Sequence, residues 1–127
     1  MIPFQNRFHG HSSLNYVYKN GQAEHGQSVT VKYIVNPHRD QSRIAVVIGK
    51  KTLKSAVRRN LIRRRLYEYA RLKLPVLNKV YDIAIIVKSS DILNSTHSEM
   101  TGQLDQILKQ ARIIGSKKPN EKVPKNS

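Results

Sequence analysis

The chain has 127 residues and sets 23 Lys or Arg against 8 Asp or Glu, a formal charge of +15. That length fits one domain with a modest core, and that charge requires a polyanionic partner, nucleic acid ahead of an anionic membrane surface. Cysteine and Trp are absent, which excludes a disulfide framework and thiolate metal sites and removes the bulky anchor a membrane-surface helix favours.

Met1-Ile2-Pro3-Phe4-Gln5-Asn6-Arg7 lacks the apolar stretch of a signal peptide, and no apolar run approaches the length of a membrane span. A cytoplasmic chain is expected, with no membrane contact. The first element is a short helix from Ser12 to Asn20. Ser12 or Ser13 is its expected cap, Leu14, Val17 and Tyr18 share a face, and Gly21 stops it. An extra short strand is possible around Gln22 to Gln27. Val29 to Val35 is a strand with apolar odd positions and mixed even ones, Thr30, Lys32 and Ile34. One of its faces is therefore expected to be open to solvent or ligand. Asn36-Pro37 begins a polar loop.

Ile44 to Ile48 is apolar on both faces, as a central strand should be. A basic turn, Gly49 to Lys54, leads to Ser55, the expected N-cap of a long helix that Pro75 ends. Ile62, Leu66, Tyr69 and Ala70 form its buried stripe. Tyr81 to Val87 is a second fully apolar strand, entered through Asp82. Thr96-His97-Ser98-Glu99 has the spacing of a capping box and opens a last helix, with Met100, Leu104, Ile107, Leu108 and Ala111 on its apolar face. Residues 1–114 are read as one domain and 115–127 as a basic, disordered tail.

The acids are scattered and form no close pair on a shared face, so the sequence offers no carboxylate cluster for a two-metal nuclease. His9 and His11 are close together, yet without Cys or a nearby acid they fit a polar loop better than a metal site. No catalytic residue and no protein-borne metal site is assigned. Residues 50–71 hold nine Lys or Arg and one Glu. A merely solvated helix face would mix signs at i,i+4 spacing. Here Arg58, Arg59, Arg63, Arg64, Arg65 and Arg71 share one acid, Glu68, an expected ion-pair partner of Arg64, Arg65 or Arg71. The planar Arg fork suits phosphate and base edges, and Asn60 adds an amide one turn before Arg64. Tyr69 is expected in the core. Tyr18 either stacks an unpaired base or packs the first helix on the sheet.

Lys50-Lys51, Ala56-Val57, Arg59-Asn60 and Arg63-Arg64 resemble the signature of the bacterial ribonuclease P protein component. In that family a Lys-Lys turn leads into a helix carrying Ala-Val-x-Arg-Asn-Arg-x-(Lys or Arg)-Arg. Leu14-x-x-Val17-Tyr18-Lys19-x-Gly21 is similar to the family's Phe-x-x-Val-Phe-Lys-x-Gly. Arg43 to Lys51 and Asp82 to Lys88 match its central strand with turn and its later strand. The family's second Arg falls on Leu61, which shifts cationic load to Arg58 and Arg65, and the turn after Lys51 is one residue longer.

The resemblance implies an α/β (α+β two-layer) fold, ribosomal-protein-S5-domain-2-like. Its four-stranded sheet has the order α-β-β-β-α-β-α and an unusual left-handed β-α-β crossover. It implies the accessory subunit of a ribozyme that removes the 5′ leader from precursor tRNA, an RNA endonuclease whose RNA subunit does the hydrolysis. Mg²⁺ would be bound mainly by that RNA. The implied partners are the catalytic RNA and precursor tRNA, with no protein partner. Lys50, Lys51, Arg58, Arg59, Asn60, Arg63, Arg64 and Arg65 would face the catalytic RNA. Leu14, Tyr18, Lys32, Val47 and Lys88 would line a cleft for the single-stranded leader. The alternative is a ribosomal or other structural RNA-binding protein without a processing role.

Overall fold

The computed structural model describes residues 6, 7 and 11–114; the tail expected over 115–127 lies outside the described residues, as does the His9-Gly10 segment. The elements are α1 (His11–Asn20), β1 (Gln22–His25), β2 (Val29–Val35), β3 (Arg43–Ile48), α2 (Ala56–Lys73), β4 (Tyr81–Val87) and α3 (His97–Gln110). Short 3-10 turns at Leu74–Val76 and Ser90–Asn94 follow α2 and β4. The strands form one mixed sheet in the order β1-β2-β4-β3. β1 and β2 are antiparallel, as are β2 and β4, whereas β3 and β4 are parallel neighbours joined through α2.

Alternation along the strands separates two faces. The odd residues of β2 and β4 meet the even residues of β3: Val31 lies opposite Ile85, and Ile85 opposite Val46. This face carries the core, where Ile62, Leu66, Tyr69 and Ala70 of α2 pack with Met100, Leu104, Ile107 and Leu108 of α3. Each large side chain buried there contributes about 1.5–3 kcal/mol. The other face carries Thr30, Lys32, Ile34, Ala45, Val47, Ala84 and Ile86, and α1 packs on it against β2 and β4. Val17 is its fully buried contact residue.

Two expectations need correction. Ser12 and Ser13 do not cap α1: they lie inside a helix that begins at His11. Ser13 turns instead toward the Arg43 guanidinium, 3.5 Å away. β3 is not central but ends the sheet; Ile44, Ala45, Val46 and Ile48 are buried there all the same, because burial of a strand's faces does not require a neighbour on each edge. Ser55 does cap α2, its hydroxyl accepting from the Arg58 backbone N–H at 3.3 Å. The Thr96–Glu99 capping box closes both ways, at 2.8 and 3.1 Å. Gly21 ends α1 where its N–H reaches Val17 O at 2.8 Å. A Cβ there would stand 2.6 Å from Val17 O and 2.8 Å from Tyr33 O, so this crossing requires glycine.

Candidate nucleic-acid interface

α2 is a charged rod fixed along one side. Its buried residues recur at helical spacing, and Arg64 lies two residues from both Ile62 and Leu66, about 200° around the helix. The basic turn before it is folded back: Thr52 and Leu53 N–H groups each reach Gly49 O at 3.1 Å, and Leu53 is buried. Lys50 and Lys51 stand exposed on that turn.

The predicted RNA-facing residues divide into two sets. Arg59 is half-buried, and its Nη1 donates to Leu53 O at 2.8 Å and Lys54 O at 3.0 Å. Arg63 Nη1 donates to Asn60 Oδ1 at 3.0 Å. These side chains brace the turn and the first turns of the helix, on neutral acceptors that leave their charge uncancelled. Arg58, Arg64 and Arg65, with Lys50 and Lys51, are exposed, and their side chains have no partner among the described residues. Glu68 pairs with Arg71 rather than with Arg64 or Arg65, and that guanidinium holds its carboxyl below the usual carboxylate range. Leu61, at the position where the family signature has Arg, is half-buried on the flank.

The cleft residues converge from separate elements. α1 runs from Ser13, near Arg43 of β3, to Tyr18, whose carbonyl accepts from Lys32 Nζ at 3.3 Å. The same ammonium stands 5.5 Å from the Tyr18 ring centroid, a cation–π contact. Burial raises the Tyr18 phenol above its ordinary value. Tyr18 thus packs on the sheet, one of the two roles open in the sequence, while remaining half-exposed. Leu14 lies one turn earlier on the same side of α1, also half-buried. Val47, half-buried, is opposite Ile86 on the face that α1 crosses. Lys88 is exposed; its backbone N–H reaches Ser28 O at 2.9 Å and so continues the ladder, with alternation assigning its side chain to that face.

Sequence reasoning missed the charged floor at the far end of this face. Arg43 and Asp82 are register partners, both nearly fully buried, joined by paired bonds of 2.9 and 2.7 Å. Asn36 Nδ2 adds a third donor to Asp82 at 2.8 Å. A charged residue at the head of each apolar strand was the available signal. Beside it a groove of about 790 Å³ opens between Tyr16, Val35 and the loop through His38 and Arg39.

A family model for ribonuclease P matches residues 2–112. The chain belongs to the ribonuclease P protein family. A ribonuclease P protein component from Prochlorococcus marinus (strain AS9601) is 30% identical, over 89% of this chain and 98% of that relative. One from Synechococcus sp. (strain JA-2-3B'a(2-13)) is 29% identical, over 91% of this chain and 89% of its own. Among solved structures, the RNase P protein of Thermotoga maritima superimposes with a TM-score of 0.69 at 27% identity, covering 80% of this chain and 92% of that one. That of Staphylococcus aureus gives 0.78 at 23% identity, covering 87% and 98%, a likeness of fold. As a ribonuclease P protein, the chain is an RNA-binding part of an RNA-cleaving ribonucleoprotein in tRNA processing.

Three of the acids are already engaged by side chains of the chain itself. Asp82 is held by Arg43 and Asn36, Asp105 by Tyr69 and Lys73, and Glu68 by Arg71. Among the described residues no three His, Asp or Glu side chains converge as a metal site, and no helix is long and apolar enough to cross a membrane.

Proposed function

We propose that this ribonuclease P protein lies with α2 and its preceding turn on the catalytic RNA, and receives the 5′ leader of precursor tRNA between α1 and the sheet. The observation that carries the reading is the set of exposed cations without partners among the described residues, Lys50 and Lys51 on the turn and Arg58, Arg64 and Arg65 on a helix anchored along its buried side. Arg59, Asn60 and Arg63 contribute from the same turns, their charge and amide groups already oriented. Leu14, Tyr18, Lys32, Val47 and Lys88 contact the leader: Lys32 and Lys88 its phosphates, Leu14 and Tyr18 its sugars or bases.

A folded cation array between two RNAs lowers the electrostatic cost of bringing them together and binds without reading sequence. The RNA subunit, with Mg²⁺ held by RNA, performs the hydrolysis; the chain performs no chemistry. The assembly works in the cytoplasm, where precursor tRNA is made.

Reconstitution tests this. The protein, a ribonuclease P RNA and a leader-bearing precursor tRNA are mixed at low Mg²⁺. Cleavage at the leader junction is expected only with both macromolecules present. Cleavage by protein alone overturns the reading. So does a binding constant for the RNA that hardly responds to salt, because neutralising about six to ten phosphates makes affinity fall by orders of magnitude between low and moderate salt.

A further inference from the structure

The half of the α1-bearing face that α1 leaves open carries a histidine which the matching motifs do not include. His25 ends β1, the edge strand, opposite Thr30. Thr30 is opposite Ile86, and Ile86 is opposite Val47. His25, Thr30, Ile86 and Val47 therefore form one row across the sheet, one step along from the row of Lys32, the ammonium of which meets Tyr18. Nδ1 of His25 lies 3.1 Å from Thr30 Oγ1, which ties the ring to a buried hydroxyl while the residue stays exposed. Nε2 has no partner among the described residues. In the tautomer where Nδ1 accepts from the Thr30 hydroxyl, Nε2 carries the proton and can donate outward.

Register sets Lys32 of β2 and Lys88, at the end of β4, on the same sheet face as this ring, with Ile86 and Val47 in its row. Glu24, its neighbour in β1, pairs with Val31 and belongs to the opposite face. Asp91 and Glu99 line a pocket with Gln27, Ser28 and Gln103, past the end of β1. The face carries two lysines, and the row of His25 holds no carboxylate. The ligand that such an edge accepts is a phosphate from outside.

We propose that His25 is a further contact for single-stranded RNA at the β1 edge of the cleft. Nε2 donates to a leader phosphate. This rests on the leader reading above, and the test separates the two. The holoenzyme is assembled with its RNA, and binding constants are measured for two tRNAs. One carries a leader and a 2′-deoxy substitution at the scissile position; the other has no leader. The ratio of their affinities isolates the leader's contribution, and it is measured for wild type and for three variants.

His25→Ala is expected to lower the ratio about two- to fivefold, the range of an exposed polar contact. His25→Gln, which keeps an N–H donor, and His25→Lys should retain most of it. A ratio that His25→Ala leaves at the wild-type value overturns the inference alone, as does a loss that His25→Gln and His25→Lys share in full. Equal binding of the two tRNAs by wild type overturns the leader reading and the inference together.

Discussion

The outer side of α2 and the sheet face beneath α1 are both cationic, yet they manage charge in opposite ways. On α2 the cations outnumber local acceptors, and Arg58, Arg64 and Arg65 are left without partners among the described residues. Under α1 the charges are few and committed: Arg43 to Asp82, and Lys32 to the Tyr18 carbonyl and ring. The first surface is suited to grip a folded polyanion through charge number. The second is suited to hold a flexible strand through shape, with a floor whose polarity is satisfied internally. Exposure follows this division, because unpaired guanidinium groups are tolerated only in water and buried ones only with full partners.

Breaking the buried pair gives the largest expected effect. Asp82→Asn leaves the Arg43 charge buried without its counter-ion and should cost about 3–5 kcal/mol of stability, read from the denaturant midpoint. Replacing both members with apolar residues of similar volume should recover most of that loss. If Asp82→Asn shifts the midpoint no more than a surface change does, the floor is not the structural element described here.

On α2 the comparison sharpens into a contrast between neighbours. Arg64→Ala combined with Arg65→Ala should leave the melting temperature unchanged. It should weaken binding to ribonuclease P RNA by about tenfold or more and flatten the salt slope by about two. Arg59→Ala should weaken binding too, but it also frees the Leu53 and Lys54 carbonyls and should lower stability by about 1 kcal/mol. Equal melting temperatures for the two variants would mean that Arg59 does not brace the turn.

The contrast between the two surfaces also explains what the sequence made legible. The rod was readable because its signal is local: Ile62, Leu66, Tyr69 and Ala70 recur at helical spacing, and the arginines fall between them. The last helix was readable for the same reason, down to its capping box. The order of β3 and β4 was not, because an apolar run reports coverage of a strand's faces and says nothing of its edges. The Arg43–Asp82 pair was hidden because its partners are 39 residues apart and meet only through parallel register. His25 was hidden likewise: its row exists only once four strands are aligned.

A smaller effect is expected in the cleft. Tyr18→Ala removes a ring that is already half-buried, so it should cost the leader about 1 kcal/mol, the low end for stacking on an aromatic side chain. Affinity for leaderless tRNA and for the ribonuclease P RNA should not change. A loss spread equally over all three ligands would place Tyr18 in the fold rather than in the cleft.

The smallest expected effect tests how α2 is held in place. The Tyr69 hydroxyl donates to Asp105 Oδ1 of α3, and Lys73 Nζ meets the same carboxylate at 3.0 Å. Burial, then the hydrogen bond to Asp105 and its charge, push the Tyr69 phenol far above its ordinary value. A tyrosine in the unfolded chain ionises near pH 10. Because the folded state keeps the proton, the stabilisation is complete below about pH 10 and is lost as pH rises beyond it. Tyr69→Phe should cost about 0.5–1.5 kcal/mol at neutral pH. Above about pH 10 the wild-type protein should lose stability more steeply than the variant, by up to about 1.4 kcal/mol per pH unit. Tyr18, Tyr33 and Tyr81 are also raised and remain in both proteins, so the difference between the two curves belongs to Tyr69. Curves that stay parallel from neutral to alkaline pH would show that the phenol does not hold its proton in the folded state, and that apolar contacts and the Lys73 ion pair seat the rod against α3 without it.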